Sequence, residues 1–220
     1  MKRQILVIGL GRFGTSLAST LASIGHEVMV IDLNEQAVQN MSTEITHAIQ
    51  ADATSESILE ELGVRDFDIA IVAIGTSIEN SVLATILLKK LGVPRVIARA
   101  NNELHRTILE KIGADLVVSP ELEMGRRLAH GASLAGVTGY LDIAGNYGVA
   151  KIGATPDMVG KTLEEIGIGP SGKLSVAALL IQRGKEAILN PSRGEDIRSG
   201  DILVLAGTDD NMASLLETKK

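Results

Sequence analysis

Residues 8–14 read IGLGRFG and close the apolar run ILVI of residues 5–8. Three glycines, Gly9, Gly11 and Gly14, stand at the GxGxxG spacing between a strand-like run and an amphipathic stretch. Each has its own physical use. The first permits a tight strand-to-helix turn, the second lets a phosphate lie against the backbone, and the third lets the helix pack close on the strand. A helix opening there points free N–H groups and its positive dipole end at an anion. Asp32 ends the next apolar run, where a carboxylate takes the ribose 2′-OH and repels a 2′-phosphate. The stretch therefore predicts an adenosine nucleotide with a free 2′-OH, not NADP. Glycines serving tight packing alone are the structural alternative.

Working outward, short apolar runs alternate with longer amphipathic segments. Runs at Gln4–Ile8, Glu27–Ile31, Thr46–Gln50, Ile69–Ala73, Val96–Ala98 and Leu116–Val118 read as buried parallel strands. Helices are expected over Phe13–Ile24, Glu35–Ser42, Ser55–Leu62, Ile78–Leu91 and Glu103–Ile112, with Gly25, Gly63, Gly92 and Gly113 as stop signals. Six strands with intervening helices give a Rossmann-like, doubly wound α/β sheet of order 3-2-1-4-5-6. A further helix, Glu121–Ala135, opens at Pro120. From Gly136 the pattern changes to short runs and glycine turns. This part, including LSVAALLIQRG from residue 174 and DILVLAGT from residue 201, predicts a small α+β lobe. Two strand pairs, a helix near Gly160–Ile166 and a final helix near Asp210–Leu216 are expected there. The predicted division is residues 1–136 and 137–220.

Composition narrows the function classes. Apolar residues make up 45% of the 220-residue chain and aromatics only 2%, so aliphatic side chains must fill the core. Cysteine is absent, which removes thiolate chemistry, disulfides and Cys-built metal sites. The net charge of −6 and the lack of a basic stripe argue against nucleic acid as a partner. The opening MKRQILVIGLG resembles a signal peptide only superficially, because its apolar run is short and flows into the glycine turn. No stretch reaches the ~18 apolar residues that cross a bilayer.

No catalytic set emerges. Tyr147 and Lys151 match YxxxK, with Ser133 upstream, but that pair needs a helical turn to bring phenol and ammonium to one face. The segment DIAGNYGVAKIGA, with three glycines and period-two spacing, predicts strand and turn instead. His26, His47, His105 and His130 are scattered without ligand spacing, and no GxxxxGK[ST] or GxSxG stretch occurs.

Two cations and two acids remain as candidates. Arg12, inside the glycine turn, can pair bidentately with a terminal phosphate, which favours ATP or ADP over NAD; a solvated first-turn arginine is the alternative. Arg99 in VIARAN falls at the carboxyl edge of the sheet, where open α/β sheets bind ligands, or is a surface charge. Asp52 and Thr54, in QADAT, suit an adenine or ribose contact, or alternatively an N-cap of the next helix.

Taken together, VIGLGRFG, VIDLNE, ADAT, IVAIG, VIARAN and LEKIGADLVVSPELEMGRRLA resemble, in order and spacing, the cytosolic RCK subunits of the KtrA/TrkA type that regulate bacterial potassium uptake, closest to KtrA. The resemblance covers nearly all of residues 1–135, and NPSRGEDIRSGDILVLAG adds a weaker match to their C-terminal lobe. It implies a non-enzymatic, cytoplasmic sensor at the inner face of the membrane, in which ATP and ADP compete for the glycine site. It further implies a homodimer assembled into an octameric ring beneath a KtrB/TrkH-like membrane subunit. The implied nucleotide set is Gly9, Gly11, Arg12, Phe13, Gly14, Asp32, Leu33, Asp52, Ala53, Thr54, Ala73, Ile74, Gly75 and Arg99. Glu121 matches a carboxylate that helps hold a Mg, Ca or Na ion against the phosphates, unless it serves only its helix dipole. Some relatives bind cyclic di-AMP in the C-terminal lobe, where Arg193 and Arg198 are cations able to meet phosphate or remain surface charges. An NAD(H)-binding sensor, or an NAD-dependent oxidoreductase, shares the same glycines and Asp32 and stays open on sequence alone.

Overall fold

The structure, a computed structural model, describes residues 2–133, 136–169 and 175–216. The chain divides into two compact units, Met1–Glu121 and Leu122–Lys220.

In the first unit, β1 (Gln4–Ile8), β2 (Glu27–Asp32), β3 (His47–Gln50), β4 (Ile69–Val72), β5 (Val96–Arg99) and β6 (Leu116–Val118) form a parallel sheet. Its order is β3-β2-β1-β4-β5-β6, as the sequence predicts. The crossovers are α1 (Arg12–Ser23), α2 (Glu35–Met41), α3 (Glu56–Glu61), α4 (Ile78–Lys90) and α5 (Glu103–Lys111). Alternation along β1 assigns the faces. Leu6 and Ile8 join Leu59, Leu88 and Leu109 in one core, while Ile5 and Val7 join Ala18, Val38 and Met41 in another. Both faces are therefore covered, which is why these strands read as near-continuous apolar runs. Gly25, Gly63, Gly92 and Gly113, just past four of the helices, all take left-handed backbone, φ 65° to 92°.

α6 runs Pro120–Ser133; the expected end at Ala135 lies outside the described residues. The second unit carries β7 (Val137–Ala144), β8 (Tyr147–Gly153), β9 (Ala177–Arg183), β10 (Glu186–Leu189), β11 (Ile202–Thr208) and α7 (Asp209–Leu216). The two expected pairs, β7 with β8 and β9 with β10, are present, and β11 joins them into one antiparallel sheet of order β10-β9-β11-β8-β7. The expected β9 run starts one residue outside the described part, at Leu174. Tyr140, Ile152, Ile181, Leu203, Leu205 and Met212 make the core of this unit. Arg183 stitches its edge, gripping both oxygens of the buried Asp201 at 3.0 and 2.8 Å and Glu195 at 3.1 Å.

One expected helix is not there. Residues 163–167 form a turn, and Thr162 just before it bridges Asp196. Thr162 and Glu165 do make the reciprocal bonds of a helix start, with Thr162 N–H donating to Glu165 Oε2 and Glu165 N–H to Thr162 Oγ1. The turn then stops at Gly167, φ 85°. The backbone on either side is committed elsewhere: Gly160 N–H donates to Ile197 O and Leu163 N–H to Glu195 O. A capping signal thus yields one turn, closed at Gly167 and laid against the loop that holds Glu195 and Ile197.

Candidate nucleotide-binding cleft

The sheet order reverses between β1 and β4, so the loops after these strands diverge and open a cleft at the carboxyl edge. The cleft holds about 780 Å³. Of the residues expected at a nucleotide site, all but Gly14 line it, Glu121 included.

The glycine turn explains its own composition. Gly9 has φ 98°, and a Cβ there would press on Ile74 N at 3.0 Å. A Cβ on Gly14 would overlap the Gly9 carbonyl oxygen, so Gly14 works behind the cleft, in helix-on-turn packing. Gly11 differs from both. Its φ of −70° suits any residue, and an added Cβ would meet nothing within 4 Å. Among the described residues nothing at this position conflicts with a side chain, and Gly11 lines the cleft, so its bare backbone is open to an occupant. Gly11 is also the N-cap of α1, and no side chain caps that end, so the first-turn N–H donors are left for an anion.

Asp32, the last residue of β2, ties the turn in place. Its Oδ2 accepts the Leu10 N–H at 2.5 Å and its Oδ1 the Asn34 N–H at 2.8 Å. Each carboxylate oxygen keeps a further lone pair for a ligand hydroxyl. Leu33, half of it exposed, follows at the mouth. Opposite, Asp52 folds into an Asx turn, its Oδ1 accepting both Thr54 N–H (2.9 Å) and Thr54 Oγ1–H (2.7 Å). The Thr54 hydroxyl, foremost, holds the Asp52 carboxyl below its usual range. The N-cap of α3 is Ser55, so the expectation that Asp52 or Thr54 caps that helix does not stand.

On the far side of the turn, Ala73, Ile74 and Gly75 follow β4. Arg99, at the end of β5, lies across Gly75 so closely that any Cβ there would overlap its guanidinium. Its Cζ stands 6.0 Å from the Phe13 ring centroid, and its Nη2 donates to Glu121 Oε1 at 2.6 Å. Its Nε is buried without a hydrogen-bond partner. Arg99 is thus a cation of the cleft rather than a surface charge. Glu121 is two-thirds exposed, and among the described residues no group of three His, Cys, Asp or Glu side chains is placed to hold a metal. Arg12 is exposed at the first position of α1.

Sequence reasoning missed Leu10, Asn34, Ala37, Thr76 and Asn80, which also line the cleft. Asn34 and Ser77 cap α2 and α4 through their side chains, so the polar residues that open those helices were the readable signal. The Asn101 side chain, donating to Gly75 O at 2.6 Å, braces the β4 loop from behind.

Elsewhere, the other candidates are dispersed. Tyr147 and Lys151 lie on strand β8, four residues apart along an extended chain, which is about 13 Å rather than one helical turn. Arg193 pairs with Glu164 at 4.0 Å, and the Arg198 N–H donates to Asp201. Among the described residues, no helix is long and apolar enough to cross a membrane.

The TrkA-N domain family matches residues 5–120 and the TrkA-C domain family residues 149–220. The Ktr system potassium uptake protein C of Bacillus subtilis is 40% identical, over 94% of this chain and 93% of its own. Protein A of the same system and organism is 38% identical, over 93% and 91%. Among solved structures, the GsuK channel bound to NAD superposes with a TM-score of 0.52 at 24% identity, over 97% of this chain. The chain spans 38% of that channel's length, and the likeness is one of fold.

Proposed function

The chain belongs to the family of Ktr and Trk potassium uptake proteins built from TrkA-N and TrkA-C domains, and from that premise we propose that it is the nucleotide-sensing regulatory subunit of a potassium uptake system. The carrying observation is the start of α1 at Gly11, which lines the cleft, carries no side-chain cap and leaves its bare backbone open to an occupant. In this reading the phosphates of ATP or ADP lie on the glycine turn and the N-terminus of α1. Asp32 takes the ribose hydroxyls, and the loop of Asp52, Ala53 and Thr54 flanks the base. Arg12 and Arg99 face the terminal phosphates, supported by the absence of a buried acceptor for Arg99 Nε.

ATP and ADP differ by one phosphate. A ligand shifts a conformational equilibrium only by its differential affinity for the two states, so the residues on that phosphate carry the signal. A Mg, Ca or Na ion beside Glu121 would take its remaining oxygen ligands from the phosphates and a second subunit. The protein acts on the cytoplasmic side, as a homodimer within an octameric ring, on a KtrB/TrkH-like membrane subunit, and it catalyses no reaction.

The test is to purify the full chain, denature it and identify the released nucleotide by mass spectrometry. ATP or ADP supports the reading. Retained NAD(H), with neither of these binding on titration, would replace it with the NAD(H)-sensor alternative.

A further inference from the structure

We propose that His130, Tyr140 and Asp209 form a pH-sensitive clasp that fixes the last turn of α6 to the antiparallel sheet. The proposal stands whether or not the cleft takes a nucleotide.

Three elements meet here. The His130 ring, near the end of α6, stacks on the Tyr140 ring of β7 with centroids 4.6 Å apart and planes 12° from parallel. Its Nδ1 lies 3.3 Å from Asp209 Oδ2, at the start of α7. The Tyr140 hydroxyl donates to the other oxygen of the same carboxylate. On β8, a Cβ at Gly148 would overlap that hydroxyl and its ring carbons, so the phenol lies directly on the neighbouring strand's backbone. Tyr140 is buried, whereas His130 and Asp209 are about one-third exposed.

The chemistry gives each group a distinct part. Burial, with Asp209 beside it, pushes the Tyr140 phenol well above its usual range, so it remains a donor at any physiological pH. Tyr140 thereby fixes the carboxylate, and the remaining oxygen faces the imidazole. Histidine is the side chain whose charge changes between pH 5 and 8. Once protonated, His130 makes a charge-assisted contact with Asp209 and also meets the carbonyl end of its own helix. The other charged groups on these elements are Asp142 on β7 and Asp210 on α7, which favour the imidazolium, and Lys151 on β8, which opposes it. On α6 itself Arg126 and Arg127 oppose it, while Glu121 and Glu123 stand farther toward the helix start. The clasp therefore tightens when the imidazole carries a proton and loosens when it does not. α6 is the helix that begins beside the cleft at Pro120, so its far end carries a proton-dependent anchor.

Hydrogen exchange on the full chain, normalised to intrinsic rates, tests this through a peptide spanning residues 126–133. For a partly exposed pair, protection is expected to be about three- to fivefold higher at pH 6 than at pH 8. In H130Q the two values converge, and in H130K, charged throughout, protection stays high at both. Equal protection of the native chain at both pH values overturns the proposal. So does an H130Q profile that keeps the native pH dependence.

Discussion

Gly11→Ala separates binding from folding more cleanly than any other change in the cleft. At φ −70° and ψ −177°, alanine fits the backbone without strain, and the new methyl meets no protein atom within 4 Å. Folding stability should change by less than about 1 kcal/mol, because restriction of the unfolded chain is offset by alanine's poorer fit at a helix N-cap. The methyl does stand where a phosphate must approach the first turn of α1. Holding the phosphate off two backbone donors removes charge-assisted hydrogen bonds of about 1.5–3 kcal/mol each. The expected loss is therefore about 3 kcal/mol or more, roughly a hundredfold in Kd. Gly14→Ala is the contrast: its methyl would overlap the Gly9 carbonyl oxygen and come within 3.0 Å of the Gly9 carbon, so the turn itself must open. That costs about 3 kcal/mol of stability. Thermal unfolding and calorimetric titration of both variants provide the assay. A Gly11→Ala protein that unfolds and binds nucleotide like the native chain would refute the reasoning, since no ligand would then lie against that backbone.

Three further outcomes are expected. Arg12→Ala keeps ADP binding while the ATP-to-ADP affinity ratio falls toward one; an unchanged ratio, read by titration of both nucleotides, removes Arg12 from the account. Asp32→Ala weakens every adenosine ligand and also frees the Leu10 N–H, so it lowers affinity for ATP, ADP and adenosine alike; loss confined to ATP would contradict the ribose assignment. Asp201→Asn strips the bidentate partner from Arg183 and destabilises the second unit by about 3 kcal/mol at pH 7. Arg183, foremost, holds the Asp201 carboxyl below its usual range, so the native pair contributes above the ordinary carboxylate pKa and is lost as pH falls through the lowered one. The gap between variant and native chain, followed by denaturant unfolding, should narrow below about pH 4; a constant gap would mean that the pair is not its source.

How much of this was legible beforehand follows from the range of the forces. The first unit was readable because its signals are local: apolar runs covered on both faces, and glycines such as Gly63 and Gly92 that end helices by their own backbone freedom. The glycine turn and Asp32 belong to the same class, since a strand, a turn and a helix lie side by side in the chain. Thr162–Glu165 shows the limit. Its capping pattern is genuine, but the turn closes at Gly167, and the adjoining backbone pairs with Glu195 and Ile197, some thirty residues on. In the second unit the two pairs were legible, but their union through β11 was not, because joining β8 to β11 needs contacts such as Ala150 to Leu205 across the sequence. In the cleft, the pairing of Arg99 with Glu121 and its seat over Gly75 were invisible, because the three residues come from a strand end, a helix start and a loop far apart in the chain. Asn80 was missed for a simpler reason: it looks like an ordinary first-turn residue, and only the position of α4 at the switch point brings it to the cleft.

The central claim is that this cleft reads adenine nucleotides by their phosphates, and competitive calorimetric titration of the full chain with ATP, ADP and NADH tests it most directly. The account predicts that ATP and ADP bind the same sites, that each displaces the other, and that NADH displaces neither at comparable concentration. Tight NADH binding that excludes ATP and ADP, or no binding of any adenine nucleotide, would contradict it.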